Sequence, residues 1–374
     1  MNYYCLGKSG VRVCQLCLGT MTFGTELGWG NNKKDAEKIF NAYVDLGGNF
    51  VDTADMYTKG TSEKMVGEFI SKRKLRDHIV LTTKFSWNTD PGNPNGGGNG
   101  RKYMMKAVED SLRRLGTDYI DLYLLHVWDC LTPVEDVMRT FNDLVSSGKV
   151  RHVGFSDVPA WVASRAQTMA EIRAMEPISV MQMEYSLVER NIEHEYTLLG
   201  KELGIDIMSW SPLGGGLLTG KYQINGKNVK GDGRFKKIAA ENDIHFLRLT
   251  KRNEQIILTL REVAKELGRP MSQVALNWVA NRPAVGSLVF GATSVSQLEN
   301  NMQSLDFTIP GNLVEKLDEV SRPTLNFPYN FFSPDMQKRV HGGEAALDKP
   351  FNHHPPRKLR GDEKPFKQKS GKKK

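Results

Sequence analysis

Four polar side chains within the first 126 residues could together reduce a carbonyl group. They are Asp52, Tyr57, Lys84 and His126, and each closes or follows a strand-like apolar run. A phenol with a pKa of about 10 is a weak acid at neutral pH unless a nearby cation favours its phenolate. Lys84 would supply that cation, Asp52 would keep the ammonium charged, and Tyr57 would protonate the developing alkoxide. His126 would orient the carbonyl oxygen.

Each of these side chains also has an ordinary structural explanation when it is taken alone. Asp52 could cap a turn, Lys84 could form a structural ion pair, and His126 could be a hydrogen-bonded histidine at a strand end. The conjunction of all four types favours a catalytic site, provided that the fold brings them together.

The elements that must position them alternate between apolar strands and amphipathic helices. The predicted strands are Val13–Leu18, Phe50–Thr53, Ile79–Phe85, Tyr119–His126, Arg151–Ser156, Ser179–Tyr185, Asp206–Ser211 and Gly286–Phe290. The predicted helices are Lys34–Leu46, Ser62–Ser71, Tyr103–Leu115, Val134–Val145, Trp161–Ala174, Glu193–Leu203, Asn253–Leu267, Ser272–Ala280 and Val295–Ser304. Eight βα units predict an α/β fold of the (β/α)8 TIM-barrel type, which gathers the strand C-termini at one face. A doubly wound open sheet is the alternative, but Leu18–Gly24 does not match its GxGxxG turn.

Two long loops and a C-terminal extension depart from a bare barrel. Asn88–Gly100 and Gly214–Phe246 follow the third and seventh predicted strands, and we expect them to be mobile loops over the working face. We expect the barrel to span residues 1–320 and an extension without periodicity to span 321–356. Residues 357–374 would form a disordered basic tail.

Composition and charge limit the classes of partner. The 374 residues are 39% apolar and 25% charged, as in soluble globular proteins. The net charge is +8, but residues 357–374 hold nine basic residues against Asp362 and Glu363 and so contribute +7. The near-neutral remainder argues against nucleic-acid binding by the folded body. A solvated tail is favoured over a polyanion-binding one.

The N-terminus and the cysteines predict a cytoplasmic protein without a metal. The start has no signal-peptide pattern, and no apolar stretch reaches the length of a membrane span. Cys14 and Cys17 lie in one predicted strand, where alternation would point them to opposite faces. A redox or zinc role is therefore disfavoured.

The ordered motifs resemble those of the aldo-keto reductase family. They are Val51–Tyr57 (VDTADMY), Ser62–Gly67 (SEKMVG), Thr83–Lys84 and Asp121–His126 (DLYLLH), and the resemblance extends from the first strand to about Asn301. It implies Asp52, Tyr57, Lys84 and His126 as the catalytic residues. Asp55 is a competing carboxylate, but the family spacing of five residues to the tyrosine selects Asp52. Within that family, this sequence resembles the branch of bacterial aryl-alcohol dehydrogenase-like and potassium-channel beta-subunit-like reductases.

The resemblance also implies a nicotinamide cofactor site. Its residues are Gly19, Thr20, Met21, Asp52, Ser156, Asp157, Gln182, Trp210, Ser211, Pro212, Leu213, Gly215, Lys221, Arg234, Gly291, Thr293, Gln297, Asn300 and Asn301. Ser156, the following residue and Gln182 would bind the carboxamide, and Trp210 would stack on the ring. The family more often has Asn where this chain has Asp157, and a carboxylate cannot donate to the carboxamide oxygen.

The predicted cofactor is NADP(H) rather than NAD(H). The helix that begins near Val295 offers free N–H groups to a phosphate. Many family members grip the 2′-phosphate with Lys and Arg in this segment, where this chain has Gly291 and Gln297. The channel-subunit-like branch instead uses the loop after strand seven, where Lys221 and Arg234 are the candidates.

We therefore expect an enzyme that reduces an aldehyde or ketone, or catalyses the reverse oxidation. A regulatory subunit that senses NADP(H) with slow turnover is the alternative, and a hydrolytic barrel using Asp52 with Asp157 is a third possibility. Aromatic residues at Trp87, Trp128 and Phe331 suggest a flat apolar substrate. The sequence leaves the oligomeric state open.

Overall fold

A computed structural model describes residues 1–225, 228–231, 235 and 249–340. The chain divides into two compact units, Met1–Arg322 and Pro323–Lys374. The first unit contains the barrel. The basic tail at 357–374 and Arg234 lie outside the described residues.

The first unit is built around a closed barrel of eight parallel strands. In chain order the described strands are β1 (Tyr3–Cys5), β2 (Arg12–Cys14), β3 (Leu16–Gly19), β4 (Phe50–Asp52), β5 (Val80–Phe85), β6 (Ile120–Leu125), β7 (Val150–Ser156), β8 (Ile178–Glu184), β9 (Asp206–Trp210), β10 (Gln223–Asn225), β11 (Asn228–Lys230) and β12 (Val285–Phe290). Strands β3 to β9 pair in sequence, and β12 closes the ring against both β9 and β3. The predicted TIM-barrel fold is confirmed.

Helices between the strands cover the barrel with their apolar faces. The described helices are α1 (Lys33–Asp45), α2 (Thr61–Lys72), α3 (Arg101–Leu115), α4 (Val134–Ser146), α5 (Ala160–Arg173), α6 (Tyr196–Leu203), α7 (Lys251–Leu267), α8 (Met271–Ala280), α9 (Val295–Met302), α10 (Gly311–Ser321) and α11 (Pro334–Val340). Helix α1 is an example: its apolar residues Ala36, Ile39, Phe40 and Tyr43 recur at helical spacing and are all buried. The side chain of Asn32 caps it by accepting from the Asp35 N–H.

The predicted single strand Val13–Leu18 is wrong. Residues up to Cys14 belong to β2, which pairs with β1 in an antiparallel hairpin, whereas β3 begins at Leu16. The break falls at Gln15, whose carbonyl accepts from the Leu288 N–H and whose side chain donates to the Ala280 carbonyl. Cys14 and Cys17 therefore lie in different strands; both are buried and free.

The predicted helix Glu193–Leu203 and the loop after β9 also differ from expectation. A 3-10 turn at Asn191–His194 precedes α6, because Glu195 leaves the helical region with φ −135°. The loop after β9 is not structureless: it contains a 3-10 turn at Gly214–Thr219 and the hairpin β10–β11. Asn88–Gly100 forms turns without helix or strand, as expected.

Two helices near the C-terminus were missed. Helix α10 belongs to the first unit and buries Leu313 and Leu317. In the second unit a 3-10 turn at Tyr329–Phe332 precedes α11, where no periodicity was expected. No described helix has the length and apolarity that crossing a bilayer requires.

Candidate active site

The four predicted catalytic side chains meet at the C-terminal ends of three neighbouring strands. Asp52 is the last residue of β4, Tyr57 opens a 3-10 turn a few residues later, Lys84 lies near the end of β5, and His126 directly follows β6. Strands β4, β5 and β6 pair in order, with Asp52 opposite Thr82. The parallel register therefore gathers residues that are far apart in sequence.

Lys84 is the centre of this group. Its side chain is fully buried, and its Nζ donates to Asp52 Oδ2 at 2.7 Å, to the Thr53 carbonyl at 2.8 Å and to the Tyr57 hydroxyl at 3.1 Å. An ammonium has three protons, so every donor has an acceptor. The other oxygen of Asp52, Oδ1, accepts from Gln182 Nε2 at 2.8 Å. This arrangement fixes the ammonium against the phenol oxygen.

The surroundings keep the lysine charged. Burial alone would lower the pKa of Lys84, but the Asp52 carboxylate and the hydrogen bonds to Asp52 and Tyr57 outweigh it and raise that pKa to about 12. Burial raises the pKa of Asp52 from its usual value, and Lys84 and Gln182 offset part of that rise. At neutral pH we expect an ion pair, because the charged partners satisfy each other with good geometry.

His126 is held as a neutral imidazole beside this ion pair. Its ring lies edge-on to the Tyr57 ring, with centroids 5.7 Å apart, and Nδ1 is buried without a hydrogen-bond partner. Burial and the Lys84 charge lower the pKa of His126 well below 6.5. A neutral imidazole can donate one hydrogen bond to an oxygen in the cleft without adding a second positive charge.

We expect the His126 imidazole of the folded protein to show no titration around pH 6.5, the ordinary pKa of histidine, in NMR spectra. The unfolded chain is the reference, since its histidines titrate normally. Because the folded state resists protonation of His126, this residue makes stability fall as pH drops through 6.5, the ordinary pKa. A normal titration curve for His126 would contradict this description of the site.

A cleft of about 720 Å³, here called the central cleft, opens beside Tyr57 and His126. Besides these two, it is lined by most of the predicted cofactor residues: Gly19, Met21, Asp52, Ser156, Asp157, Gln182, Trp210, Ser211, Pro212, Leu213, Gly215, Lys221, Gly291, Thr293, Gln297, Asn300 and Asn301. Thr20 is not among the lining residues, because it is fully buried and bonds to the Asp52 carbonyl and to Ser62. Lys84 lies beneath the surface of the cleft.

Other lining residues were not predicted as site residues. They are Thr22, Leu27, Met56, Gly216, Thr219, Ser272, Val289, Phe290 and Ala292, together with Trp87, which was expected only as a substrate contact. Val289 and Phe290 end β12, and Ser272 lies in the first turn of α8, so their positions at element ends were the available signal. Leu27 and Met56 lie in loops and carried no such signal.

One end of the central cleft is formed by β7, β8 and β9. Asp157 follows β7 with φ +45°, and its Oδ1 accepts from Trp210 Nε1 at 3.1 Å. Burial raises the pKa of Asp157 to about 7, with Glu184 adding to the rise and Trp210 opposing it. Ser156 and Gln182 lie beside it in the wall. The predicted carboxamide residues are thus adjacent, with Asp157 held by the indole.

The other end is formed by the start of α9 and by α8. Ser294 caps α9 by accepting from the Gln297 N–H, and Gln297 Oε1 accepts from the Thr293 N–H at 3.0 Å. Asn300 donates to Ser272, which joins the two helices. Lys221 lines the cleft and is exposed. This end is polar, as a phosphate site requires.

Trp128 does not line the central cleft, contrary to the suggestion that it contacts substrate. It lines a separate surface groove of about 490 Å³ with Leu131 and Trp161, and its ring meets that of Trp161 edge-on. Within the described ranges, no group of three or more His, Cys, Asp or Glu side chains is placed to hold a metal ion.

Comparison with known proteins identifies the family of this chain. The sequence profile of the aldo/keto reductase family matches residues 15–322. An aryl-alcohol dehydrogenase of Pestalotiopsis microspora is 32% identical over 87% of this chain and 83% of its own length. A norsolorinic acid reductase of Aspergillus flavus is 32% identical over 87% of this chain and 82% of its own. A probable voltage-gated potassium channel subunit beta of Oryza sativa subsp. japonica is 34% identical over 86% and 95%. The chain therefore belongs to the aldo/keto reductase family of oxidoreductases.

Proposed function

We propose that this protein is an NADP(H)-dependent oxidoreductase that reduces an aldehyde or ketone to an alcohol, or catalyses the reverse reaction. The observation that carries the proposal is the buried Lys84 ammonium, which joins Asp52 to the hydroxyl of Tyr57 at the wall of the central cleft. A phenol in contact with a fixed cation is suited to transfer a proton to an alkoxide.

The central cleft fits a nicotinamide dinucleotide. Its volume of about 720 Å³ lies within the usual range for ligand pockets, and its lining includes Tyr57, His126 and the polar N-terminal residues of α8 and α9. Trp210 offers a flat indole, and Gly215, with φ +67°, brings backbone to the wall where a side chain would be strained. When bound, the cofactor would supply hydride for the carbonyl carbon.

Residues of this chain would then bind and protonate the carbonyl oxygen of the substrate. Tyr57 gives its proton to the carbonyl oxygen as charge develops there, and Lys84 stabilises the phenolate that remains. His126, neutral and beside Tyr57, donates a hydrogen bond that fixes the carbonyl. Met56 and Trp87 add apolar surface to the wall of the cleft that also contains Tyr57 and His126.

Substrates with an aromatic group are the ones we propose. Two relatives are named as an aryl-alcohol dehydrogenase and a norsolorinic acid reductase. In this chain the exposed indole of Trp87 lies edge-on to His126, with centroids 6.3 Å apart, where an aromatic ring could pack.

We expect Lys221→Met to weaken NADPH binding by about tenfold and to leave NADH binding nearly unchanged, because a charged contact to phosphate is worth about 1.5 kcal/mol or more. The positively charged side chain of Lys221 lines the wall of the central cleft. Fluorescence titration of both cofactors measures the effect. Lys316→Met, on the exposed pair with Glu262, is the matched control. Equal losses for both cofactors would contradict 2′-phosphate recognition by Lys221.

The function is tested by following NADPH and, separately, NADH consumption with an aromatic aldehyde. We expect turnover with NADPH and weaker turnover with NADH. No turnover with either cofactor, despite tight NADPH binding, would favour a regulatory or redox-sensing subunit. The relative named as a probable channel beta subunit is the observation behind that second candidate.

A hydrolytic barrel has less support. Both oxygens of Asp52 accept hydrogen bonds, from Lys84 and Gln182, and Asp157 accepts from Trp210. A carboxylate held this way by an ammonium is poorly placed to activate water.

A further inference from the structure

A second buried carboxyl, that of Asp55, lies next to Lys84 and has no role in the proposed reaction. Asp55, between β4 and α2, is 3% exposed, and its N–H donates to the Lys84 carbonyl at 3.1 Å. Its Oδ2 lies 3.1 Å from the Tyr103 hydroxyl, and its Oδ1 is buried without a hydrogen-bond partner. The titratable groups that face it are Glu63 of α2, Tyr103 and Arg114 of α3, and Tyr123 of β6.

Tyr103 connects Asp55 to the wall of the central cleft. Its hydroxyl lies 2.8 Å from the Trp87 carbonyl and 3.1 Å from Thr89 Oγ1, besides its contact with Asp55. Trp87 in turn lies against His126, with a T-shaped geometry. A single phenol therefore joins the buried acid to the segment that carries an aromatic wall residue.

The hydrogen bonds around the Tyr103 hydroxyl depend on whether the Asp55 carboxyl is protonated or ionised. A phenol has one proton, whereas a carbonyl and an ionised carboxylate can only accept. If Asp55 were ionised, Tyr103 could serve either Asp55 or Trp87, and the other pair of oxygens would face each other without a hydrogen. If Asp55 carries the proton, it donates to Tyr103, and Tyr103 donates to Trp87. The neutral carboxyl gives each contact a hydrogen of its own.

The neighbouring charges do not supply a counterion for an ionised Asp55. Arg114 Nε donates to Glu63 Oε2 at 2.5 Å, and the Thr83 hydroxyl donates to Glu63 Oε1 at 2.6 Å. Glu63 thus holds the nearby cation and adds a negative charge close to Asp55. An ionised carboxylate with an unpartnered buried oxygen would be costly here.

We propose that Asp55 is a positioning residue that carries a proton and, through Tyr103, holds the Trp87 backbone beside His126 in the wall of the central cleft. The protonation itself stands on the geometry alone, and its effect on turnover rests on the proposed function. Burial first, and Glu63 second, raise the pKa of Asp55 to about 7. Below that pH, Asp55 donates to Tyr103 and Tyr103 donates to the Trp87 carbonyl. As pH rises through it, Asp55 ionises and accepts the hydrogen bond of Tyr103, which then no longer donates to Trp87.

Infrared difference spectroscopy tests the proton directly, without any need for activity. We expect native minus Asp55→Asn protein at about pH 6 to show a protonated-carboxyl band that fades above about pH 7. Asp157 has a raised pKa in the same range, so Asp157→Asn serves as the matched control and removes a different band. A difference spectrum for Asp55→Asn that contains only carboxylate bands at pH 6 would overturn the proposal.

Kinetics in the Asp157→Asn background test the positioning. We expect KM for an aromatic aldehyde to rise about fivefold from pH 6 to pH 8.5, as loss of one hydrogen bond would give, with little change in kcat. Adding Asp55→Asn should hold KM at its low-pH value throughout, because the amide still donates to Tyr103. Asp55→Ala and Tyr103→Phe should show the high-pH KM at every pH. If Asp55→Asn behaves as Asp55→Ala does, the positioning role is wrong; absence of turnover by the native chain would instead count against the proposed function, with the infrared result unaffected.

Discussion

Replacing Lys84 by methionine is expected to lower the free energy of unfolding by about 3–5 kcal/mol and to abolish turnover. Methionine fills a similar volume but leaves the Asp52 carboxylate buried without its counterion, together with an unpaired Thr53 carbonyl. The cation that would stabilise the phenolate of Tyr57 is lost as well. Urea denaturation of the folded protein measures the first effect, and NADPH consumption measures the second.

A double variant separates the charge from the packing. Asp52→Asn combined with Lys84→Met removes both charges, so we expect part of the lost stability to return, with turnover still absent. Lys316→Met, which breaks an exposed pair with Glu262, should leave the denaturation midpoint unchanged. If Lys84→Met is no less stable than native protein, the pair is not the buried ion pair described above.

Replacing Tyr57 by phenylalanine is expected to lower kcat by about 10²–10⁴-fold, the usual contribution of a positioned general acid. The ring and its contact with His126 stay, so cofactor affinity should change by less than about twofold. Stability should fall only slightly, because Lys84 keeps its bonds to Asp52 and Thr53. Steady-state rates and a cofactor fluorescence titration on the same preparation give both values.

Tyr119→Phe is the matched control, since this phenol precedes β6 at the opposite end of the strands and bonds to Asp77. Its activity should equal that of the native protein. A Tyr57→Phe variant that keeps more than about a tenth of native kcat would show that the proton comes from another group.

Much of the barrel could be predicted because its periodicities are strong. Helix α1 repeats its apolar residues at helical spacing, and the buried strands are short segments rich in apolar residues between turn residues. The convergence of Asp52, Lys84 and His126 followed from the fold alone, since neighbouring parallel strands end at one face. Residues at strand ends were therefore the most predictable part of the site.

The features that could not be predicted depend on contacts between distant segments. The break at Gln15 is set by bonds to Ala280 and Leu288, which no local pattern records. Trp128 lines a separate groove because a loop turns it toward Trp161. The sequence alone assigns no role to the Asp55 carboxylate. Only the position of the Tyr103 hydroxyl between Asp55 and Trp87 indicates that the Asp55 carboxyl carries a proton.

Transfer of deuterium from 4-deuterated NADPH to the carbonyl carbon of an aromatic aldehyde would test the proposed hydride transfer directly. Mass spectrometry of the alcohol after a single turnover gives the answer for both 4-deuterated epimers. We predict one deuterium on the carbinol carbon from one epimer only, with the hydroxyl proton coming from Tyr57 and solvent. Tight binding of NADPH with no deuterated alcohol from either epimer would contradict the oxidoreductase mechanism and leave a cofactor-sensing role as the better account.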